Sequence, residues 1–520
     1  MKHIYYFIMI LGAIGVTSCS NDFLIEYPET QIVAGTYYKT PTHFEQAITG
    51  AYVRLRDVAV NSIMMDEMRA DNAYFTRYYG DRGPYTTTEV IALFLDDLNS
   101  GLWINNRYNN VYNGVARCNT ILDRVDGSTL TDAQKKAVIA ETKFLRAFYY
   151  FDLVTHWGPV PLIVNEITTA EQAFAGNSTI EDIYTQILAD VSDAISAGTL
   201  PVASTFPQTG RATMGAAKML RAYVNMSKPT RDYPAAERDL KDITNMNYAL
   251  ETDYARIFAK NNKNGKESIF EVQYREGTTG QHQYFSWKLI PKCRNNAVLM
   301  GIGGSNSAGD ASGGWVVPTQ QFIDKYEAGD KRLSATIGVI QGVGTQDITA
   351  DATEPVLDIV GFTPKEGKDY HYFVRKYYHP PYTTNGQADD NFPLYRYADC
   401  LLLLAECLVE QGKAAEAQPY LDQVRARAGL ASVPATKQSV SNERRFELAY
   451  ESKRWTDLIR TGQAVSVMTE FGRYIKSIDP VILDVAFNVT PDKLLFPFQS
   501  RELRVNPNLV QNPGYEGYKR

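Results

Sequence analysis

The spacing of apolar residues in the first half of the chain predicts a succession of amphipathic helices. From residue 42 onward, apolar side chains such as Phe44, Ile48 and Leu55 recur every three or four positions, and this spacing places them on one face of an α-helix. Thr42 is a residue type that caps helix N-termini, so we expect it to begin the first helix. Comparable helical spacing is found at 103–125, 133–157, 180–195, 211–226 and 234–243.

The middle of the chain, about residues 245–386, has a different pattern. Its stretch 301–314 is rich in Gly, Ser and Asn, residues that favour turns and loops. Short pieces at 269–274 and 372–378 contain the apolar and aromatic residues that are typical of strands. We therefore expect a loop-rich insertion that contains short strands.

Helical spacing returns after this insertion, at 394–410, 414–427 and 441–460. Ala405, Gly412 and Ala417 have the spacing of a tetratricopeptide repeat, in which two helices cross closely at the alanines and the glycine makes the turn. The stretch 222–236 resembles the same unit with a longer turn. We therefore predict a mostly α fold with a tetratricopeptide-like helical-repeat scaffold. The predicted scaffold segments are 39–244 and 387–520.

The N-terminal segment 1–18 has the pattern of a cleaved signal peptide. A short polar start is followed by an apolar run over 4–16 and by small residues before Cys19. The run is shorter than the roughly 20 apolar residues that a membrane-spanning helix needs. Because Val-Thr-Ser-Cys resembles a bacterial lipobox, we predict that Cys19 is lipidated and begins a tether over 19–38. The alternative is an ordinary secretory signal that happens to contain a cysteine.

Composition and charge narrow the class of protein. The chain has 520 residues, of which 44% are hydrophobic and 22% charged, and this is ordinary for a packed globular protein. A formal net charge of −6 provides no basic surface for nucleic acid, so no nucleic-acid partner is expected. The remaining cysteines are expected to be buried small apolar residues, and they are Cys118, Cys293, Cys400 and Cys407.

The sequence contains no motif that predicts catalysis. HExxH, GxSxG, a Walker loop and a strand-linked GxGxxG are all missing, so we expect no enzyme, no cofactor and no metal site. The carboxylate pairs Asp96–Asp97 and Asp389–Asp390 could be imagined as a glycosidase acid and nucleophile. Adjacent side chains point apart, however, and we expect these carboxylates to be solvated.

Several separated motifs resemble one family. The stretch 146–162 has the sequence RAFYYFDLVTHWGPVPL, an aromatic-rich helix that should stop at its Gly-Pro. Shorter motifs are found at 22–24 (DFL), 37–40 (YYKT), 50–52 (GAY), 396–399 (RYAD), 451–458 (ESKRWTDL) and 511–515 (QNPGY). In this order they resemble the SusD/RagB family of nutrient-binding outer-membrane lipoproteins. Phe496-Pro497-Phe498 departs from the family pattern, which more often has a second proline there.

The resemblance implies a function as well as a fold. It implies four tetratricopeptide-like helical pairs in a domain over 39–520. It also implies a cell-surface lipoprotein that captures oligo- or polysaccharide and delivers it to a SusC-type TonB-dependent outer-membrane transporter. The expected partners are a glycan, this transporter, and the membrane through the lipid anchor alone. A peptide receptor of the RagB type is the alternative, and an anchored hydrolase is a more distant one.

Aromatic residues outside the helical motifs are the candidates for ligand binding. The chain contains 34 tyrosines, and aromatic rings suit sugars because the faces of a pyranose are apolar. Aromatic residues on helices, such as Trp103 and Trp157, are expected in the core. Two loop stretches remain, 69–82 and 281–315. The candidates are Asp71, Asn72, Tyr74, Arg77, Tyr78 and Arg82 in the first and Tyr284, Trp287 and Trp315 in the second.

For Trp287 a second interpretation stays open, because a tryptophan in a long loop is also suited to pinning that loop to the scaffold. A ligand-contacting ring should lose binding when truncated, whereas a pinning ring should lose stability.

Overall fold

The computed structural model describes residues 37–79, 85–277, 280–302 and 313–515. Seventeen α-helices are found in these ranges. They are α1 (Pro41–Met65), α2 (Thr86–Ala92), α3 (Leu102–Arg124), α4 (Asp132–Trp157), α5 (Ile180–Ser196), α6 (Met214–Ser227), α7 (Tyr233–Thr244), α8 (Phe285–Leu289), α9 (Asn296–Met300), α10 (Gln320–Ile323), α11 (Arg332–Thr336), α12 (Tyr397–Glu410), α13 (Ala414–Ala428), α14 (Lys437–Glu447), α15 (Arg454–Arg460), α16 (Ala464–Ile478) and α17 (Ser500–Val505).

Eight short strands accompany the helices in the described ranges. They are β1 (Ala73–Tyr74), β2 (Ser268–Val272), β3 (Val317–Pro318), β4 (Ile337–Val343), β5 (Thr349–Ala350), β6 (Leu357–Asp358), β7 (Asp369–Val374) and β8 (Phe392–Arg396). The strand β4 pairs antiparallel with β5, β6 and β7, and β2 pairs antiparallel with β8. The predicted strands at 269–274 and 372–378 correspond to β2 and β7, with boundaries shifted by a few residues.

Local sequence explains where the scaffold helices begin and end. The hydroxyl of Thr40 accepts a hydrogen bond from the His43 N–H at 3.3 Å. Thr40 is therefore the N-cap of α1, and the prediction of Thr42 as the cap was wrong. The proline at the first helical position explains the shift, because proline fixes a helical φ there. The helix α4 ends as predicted, at Gly158 with φ 68° before Pro159.

The helices pack against each other in the order of a repeat scaffold. The helix α1 packs on α3, α3 on α4, α4 on α5, α5 on α6, α6 on α7, α7 on α12, and α12 on α13 and α14. The pairs α6–α7 and α12–α13 contain the two predicted tetratricopeptide units, and Gly412 makes the second turn with φ 75°. The predicted fold class, a mostly α helical-repeat scaffold with short strands, is confirmed.

One predicted helix is two helices in the structure. The pattern at 441–460 was expected to be continuous, but α14 ends at Glu447 and α15 begins at Arg454. Tyr450 and Ser452 between them have φ of 63° and 55°, a left-handed conformation that a continuous helix excludes. The helix α16 and the start of the 394–410 stretch, which is strand β8, were also not predicted.

Buried residues form two hydrophobic clusters. The larger cluster fills the helical scaffold. The smaller cluster lies among α8, α9, β4 and β7 and includes Trp287, Ile340, Phe373 and Tyr382. In the described part of the chain, no helix has the length and apolar content to cross a membrane.

The prediction for the cysteines was confirmed, whereas the prediction for the carboxylate pairs was not. Cys118, Cys293, Cys400 and Cys407 are free and buried, as predicted. The prediction that the carboxylates are solvated was wrong for two of them. Asp96 is buried in an ion pair with Arg69 at 2.5 Å, and Asp390 is buried beside His379. Each has a cationic or hydrogen-bonding partner that replaces water.

Candidate functional site

The structure brings the two candidate loop stretches together. The strand β1 pairs with β3, so that Tyr74 lies opposite Val317. The Thr76 N–H donates to the Gly314 carbonyl at 2.9 Å, and the Tyr78 hydroxyl donates to the Gly313 carbonyl at 3.3 Å. Residues 69–79 and 313–315 therefore form one region, although more than 200 residues separate them in the sequence.

A column of buried aromatic rings lies beneath this region. The rings of Tyr78 and Tyr85 are 4.7 Å apart, Tyr85 and Trp315 are also 4.7 Å apart, and Trp315 and Trp103 are 5.9 Å apart. The Trp103 indole donates to the Thr88 hydroxyl at 3.0 Å. Such edge and tilted ring contacts stabilise a packed interior, so the column anchors the segment that contains Tyr78.

The two candidate tryptophans are buried. Trp287 and Trp315 are each only 3% exposed. The Trp287 indole N–H donates to the Gln387 carbonyl at 3.3 Å, and its ring lies 6.0 Å from Tyr382. A ring that stacks on a sugar needs an accessible face, and neither tryptophan offers one. The structure therefore favours the packing interpretation of Trp287, within the smaller cluster.

Asp71 and Asn72 are held by arginines of the scaffold. The Asp71 carboxylate is 2.8 Å from both Arg445 and Arg454, and the Asn72 side-chain oxygen accepts from Arg445 at 2.7 Å. Burial alone would raise the pKa of Asp71, but the two guanidinium groups outweigh it and lower the pKa to about 2. These polar atoms fix the loop to α14 and α15.

Tyr74 and Arg77 share one partner. The Tyr74 hydroxyl donates to the Asp479 carboxylate at 3.1 Å, and the Arg77 guanidinium binds the same carboxylate at 2.7 Å. Both side chains are thus engaged with the loop after α16. Tyr78 is buried in the aromatic column, and Arg82 lies outside the described residues.

Among the predicted ligand-binding residues that the structure describes, Tyr284 is the exposed one, at 39%. Partial burial and the nearby Asp57 carboxylate raise its pKa to about 12, so its hydroxyl stays protonated and able to donate. It lies near Asp57 of α1 and is not one of the rings of the aromatic column.

Another tyrosine is more exposed than any of the predicted candidates that the structure describes. Tyr79 is 63% exposed, and its backbone N–H donates to the Gln346 side-chain oxygen at 3.3 Å. Beside it, the Lys292 ammonium is 3.4 Å from the Asp347 carboxylate and 4.8 Å from the Tyr78 ring. We call Tyr79, Lys292, Gln346 and Asp347 the Tyr79 surface.

Sequence reasoning did not select these four residues. Tyr78 and Tyr79 are neighbours in an extended segment, where consecutive side chains point to opposite sides. The structure buries the Tyr78 ring and exposes the Tyr79 ring, and the sequence did not indicate which of the two would be exposed. Gln346 and Asp347 lie in the turn between β4 and β5 and carried no signal of their own.

The Tyr79 surface combines an exposed ring with amide, carboxylate and ammonium groups. An apolar ring face with hydrogen-bonding groups around it suits a sugar, which has apolar ring faces and peripheral hydroxyls. Within the described ranges, no group of three or more His, Cys, Asp or Glu side chains is arranged to hold a metal ion. The geometry of the Tyr79 surface suits the binding of a sugar.

Comparison with known proteins agrees with this fold over nearly the whole chain. A solved structure of a laminarin binding SusD-like protein is 25% identical, with a TM-score of 0.72 over 92% of this chain and 100% of its own. Surface glycan-binding protein A from Bacteroides uniformis is 25% identical, with a TM-score of 0.72 over 91% and 99%. SusD-like protein P25 of Formosa agariphila is 24% identical over 96% of this chain and 97% of its own.

Two family models match opposite parts of the chain. The model described as "Starch-binding associating with outer membrane" matches residues 22–224, and the model described as "SusD family" matches residues 362–515. The matched parts cover most of the helical segments on either side of the middle region. The sequence motifs, the helical-repeat fold and these matches agree, and the chain belongs to the SusD/RagB family.

Proposed function

We propose that this protein is a non-enzymatic glycan receptor that is lipid-anchored in the outer membrane and faces the cell surface. In this proposal it captures oligo- or polysaccharide and delivers it to a SusC-type TonB-dependent transporter. The observation that carries the proposal is the likeness to a laminarin binding SusD-like protein over 92% of this chain.

The glycan contacts the Tyr79 surface in this proposal. The Tyr79 ring is the most exposed aromatic side chain of the described candidate loops, and the adjacent Tyr78 is packed in the column of aromatic rings. A rigid support reduces the entropy that the ring loses when a sugar stacks on it. Gln346, Asp347 and Lys292 supply donors and acceptors for the hydroxyls around the sugar ring.

The anchor is Cys19, which lies outside the described residues. Lipidation of this residue would attach the protein to the outer membrane, and several acyl chains at one residue suffice for stable anchoring. Cys19→Ala is expected to move the folded protein from the membrane fraction to the soluble fraction. If the variant stays with the membrane, the lipobox interpretation is wrong.

The transporter partnership is tested by affinity purification from outer membranes of the native host under mild detergent. The tagged wild-type protein is expected to co-purify with a TonB-dependent transporter. Recovery of the receptor without any such transporter, at several detergent concentrations, would contradict the delivery step and leave glycan binding to be judged separately.

Glycan binding is tested by calorimetry with soluble polysaccharides, beginning with laminarin and starch. Tyr79→Ala is expected to weaken the binding free energy by about 1 to 3 kcal/mol, which is the usual effect of truncating a central contact residue. The matched control is Tyr370→Ala, because Tyr370 is also an exposed tyrosine, at 40%, on β7. Tyr284→Ala tests the rival candidate in the same experiment.

The outcomes separate the site from the function. Loss of binding in Tyr284→Ala with no change in Tyr79→Ala would move the site to Tyr284. Failure of a broad polysaccharide panel to bind the folded wild-type protein would refute the glycan function. Chromatography of the same mixtures is expected to show no cleavage products.

A further inference from the structure

A cavity in the helical scaffold, lined by none of the residues of the Tyr79 surface, has the features of a small-molecule site. Its volume is about 280 Å³, and it lies between α4, α5, α15 and β8. At a liquid volume of about 30 Å³ per water molecule, it has room for a compound of roughly ten non-hydrogen atoms. Its apolar wall includes Phe148, Phe151, Tyr184, Leu394 and Ile459.

The cavity opens toward solvent on one side. Phe151 and Thr155 of α4 and Thr456 and Ile459 of α15 are only partly buried, and all four line the cavity. Phe151 packs against the larger hydrophobic cluster and also lines this opening. A ligand has a route to the interior between these two helices.

One charged group on the cavity wall has no counter-ion. The Lys453 ammonium donates to the Leu394 carbonyl at 2.6 Å, and it lies 5.1 Å from the Tyr223 ring and 4.8 Å from the Tyr395 ring. None of the described carboxylates is within ion-pairing distance of it. Since an ammonium has three N–H donors, two remain for other acceptors. Burial lowers the pKa of Lys453, and Asp399 and Asp457, which are too distant to form an ion pair with it, offset this only in part.

The other charged groups that line the cavity are paired with described residues. Arg107 is 2.8 Å from Asp66 and 2.6 Å from Asp152. Arg460 is 2.8 Å from Asp457. Glu451 binds Lys376 and Arg396, and His156 binds Asp66. Among the cations that line the cavity, Lys453 is therefore the one that forms no direct ion pair with a described carboxylate.

Ser452, the neighbour of Lys453, adds a second unused polar group. Its side-chain hydroxyl is buried and has no hydrogen-bond partner among the described residues, and Ser452 lines the same cavity. Its backbone is held in place by the N–H bond to the Glu67 carboxylate at 2.7 Å. A buried hydroxyl without a partner is costly, and a bound anion would satisfy it.

We propose that this cavity binds a small amphipathic carboxylate. Its carboxylate group pairs with the Lys453 ammonium and accepts from the Ser452 hydroxyl, and its apolar or aromatic body packs between Phe151, Tyr184 and Leu394. This ligand differs from the glycan of the proposed function, since a neutral sugar has no anion to balance Lys453. The site is thus a second binding site, separate from the Tyr79 surface.

The test compares an acid with its uncharged analogue on the full mature chain. Calorimetry measures the affinity for 4-phenylbutyrate and for 4-phenylbutyramide, which have the same shape. The acid is expected to bind at least about tenfold more tightly, because a hydrogen bond to a charged group is worth that much in a desolvated site. In Lys453→Met this preference is expected to disappear. Lys437→Met is the matched control and should keep the preference, because Lys437 is an exposed lysine on α14 that pairs with Glu410 and does not line the cavity.

A second variant tests the location without touching the charge. Ile459→Trp fills the mouth of the cavity and is expected to weaken both probes at least about tenfold, whether or not Lys453→Met folds. Melting curves establish that each variant is folded. The proposal is overturned if the acid does not bind, if acid and amide bind equally to the wild type, or if Ile459→Trp leaves the affinity for the acid unchanged.

Discussion

Large aromatic side chains are buried in both the helical scaffold and the middle region, although the sequence predicted their burial only in the scaffold. On α4, Tyr149 and Trp157 are buried, as helical spacing predicts. In the loop-rich middle, Trp287 and Trp315 are equally buried, and there the spacing gave no such indication. Trp287 belongs to the smaller hydrophobic cluster and Trp315 to the larger one, so position in a loop-rich stretch is a poor guide to exposure.

The ion pairs of the molecule differ more strongly, in their burial. Where β2 and β8 meet α14, Arg396 is surrounded by carboxylates, with Glu267 at 2.9 Å and Glu451 at 2.7 Å. On the surface of the middle region, Lys365 and Glu354 form an exposed pair at 3.8 Å. Because the first set is desolvated and the second is not, the same kind of ion pair should have very different energetic weight.

The largest expected effect comes from breaking the buried set. Arg396→Met leaves Glu267 and Glu451 buried beside an apolar side chain, and we expect the free energy of unfolding to fall by about 3 to 5 kcal/mol. The matched control Lys365→Met should change it by less than about 1 kcal/mol. Urea unfolding measures both. Equal effects in the two variants would show that burial does not distinguish them.

The second prediction compares tryptophans of the two hydrophobic clusters. Trp455 on α15 and Trp287 on α8 are both buried, and truncation of a buried tryptophan to alanine costs about 3 to 5 kcal/mol. We expect Trp455→Ala to lower the stability of the whole protein. We expect Trp287→Ala to loosen mainly its own cluster, with faster amide exchange at Ile340 and Phe373. Uniformly faster exchange in both variants would contradict the independence of the smaller cluster.

How far the sequence predicts the structure depends on the kind of signal. Helices with sustained spacing, such as α3 and α4, were predicted to within a few residues, because a buried stripe must recur every three to four positions. The break between α14 and α15 was not predictable, since it depends on the left-handed conformation of Tyr450 and Ser452. That conformation is held by contacts that are distant in sequence, such as the Ser452 N–H bond to Glu67 in the segment after α1.

The availability of the candidate side chains to a ligand was not predictable, for a similar reason. The two loop stretches lie together as one region, but most of the chosen side chains are used by the protein itself. Asp71 pairs with Arg445 and Arg454, and Arg77 pairs with Asp479. Sequence alone gives the types of polar groups in a loop, whereas their availability depends on partners several hundred residues away.

The third prediction concerns a buried carboxyl of the scaffold. Burial, together with the neighbouring Asp66 and Glu451, raises the pKa of Glu67 from 4.5 to about 8. The folded protein therefore keeps a proton that the unfolded chain releases above its ordinary pKa. The stability from this group is complete below pH 4.5 and is lost as the pH rises through about 8.

Glu67→Gln removes this titration while it keeps the neutral shape. At about 1.4 kcal/mol per pH unit, the stability of the variant relative to wild type should increase by roughly 2 kcal/mol between pH 6 and pH 8. Urea unfolding at both values measures it, and Glu354→Gln, at an exposed site of the middle region, serves as the control. A constant difference between Glu67→Gln and wild type would show that the carboxyl is charged throughout.

The smallest expected effect on stability is that of Tyr79→Ala, which is compared with the same change at the adjacent Tyr78. Tyr78 is buried in the aromatic column, whereas Tyr79 is 63% exposed and has few packing contacts to lose. Tyr79→Ala should therefore change the free energy of unfolding by less than about 0.5 kcal/mol, as most surface substitutions do. Tyr78→Ala should lower it by about 3 to 5 kcal/mol, since it leaves a cavity beside Tyr85. Thermal and urea unfolding of the two variants measure the difference. If Tyr79→Ala were the more destabilising of the two, the ring would be a structural part of the loop, and its use as a platform for sugar would have to be abandoned.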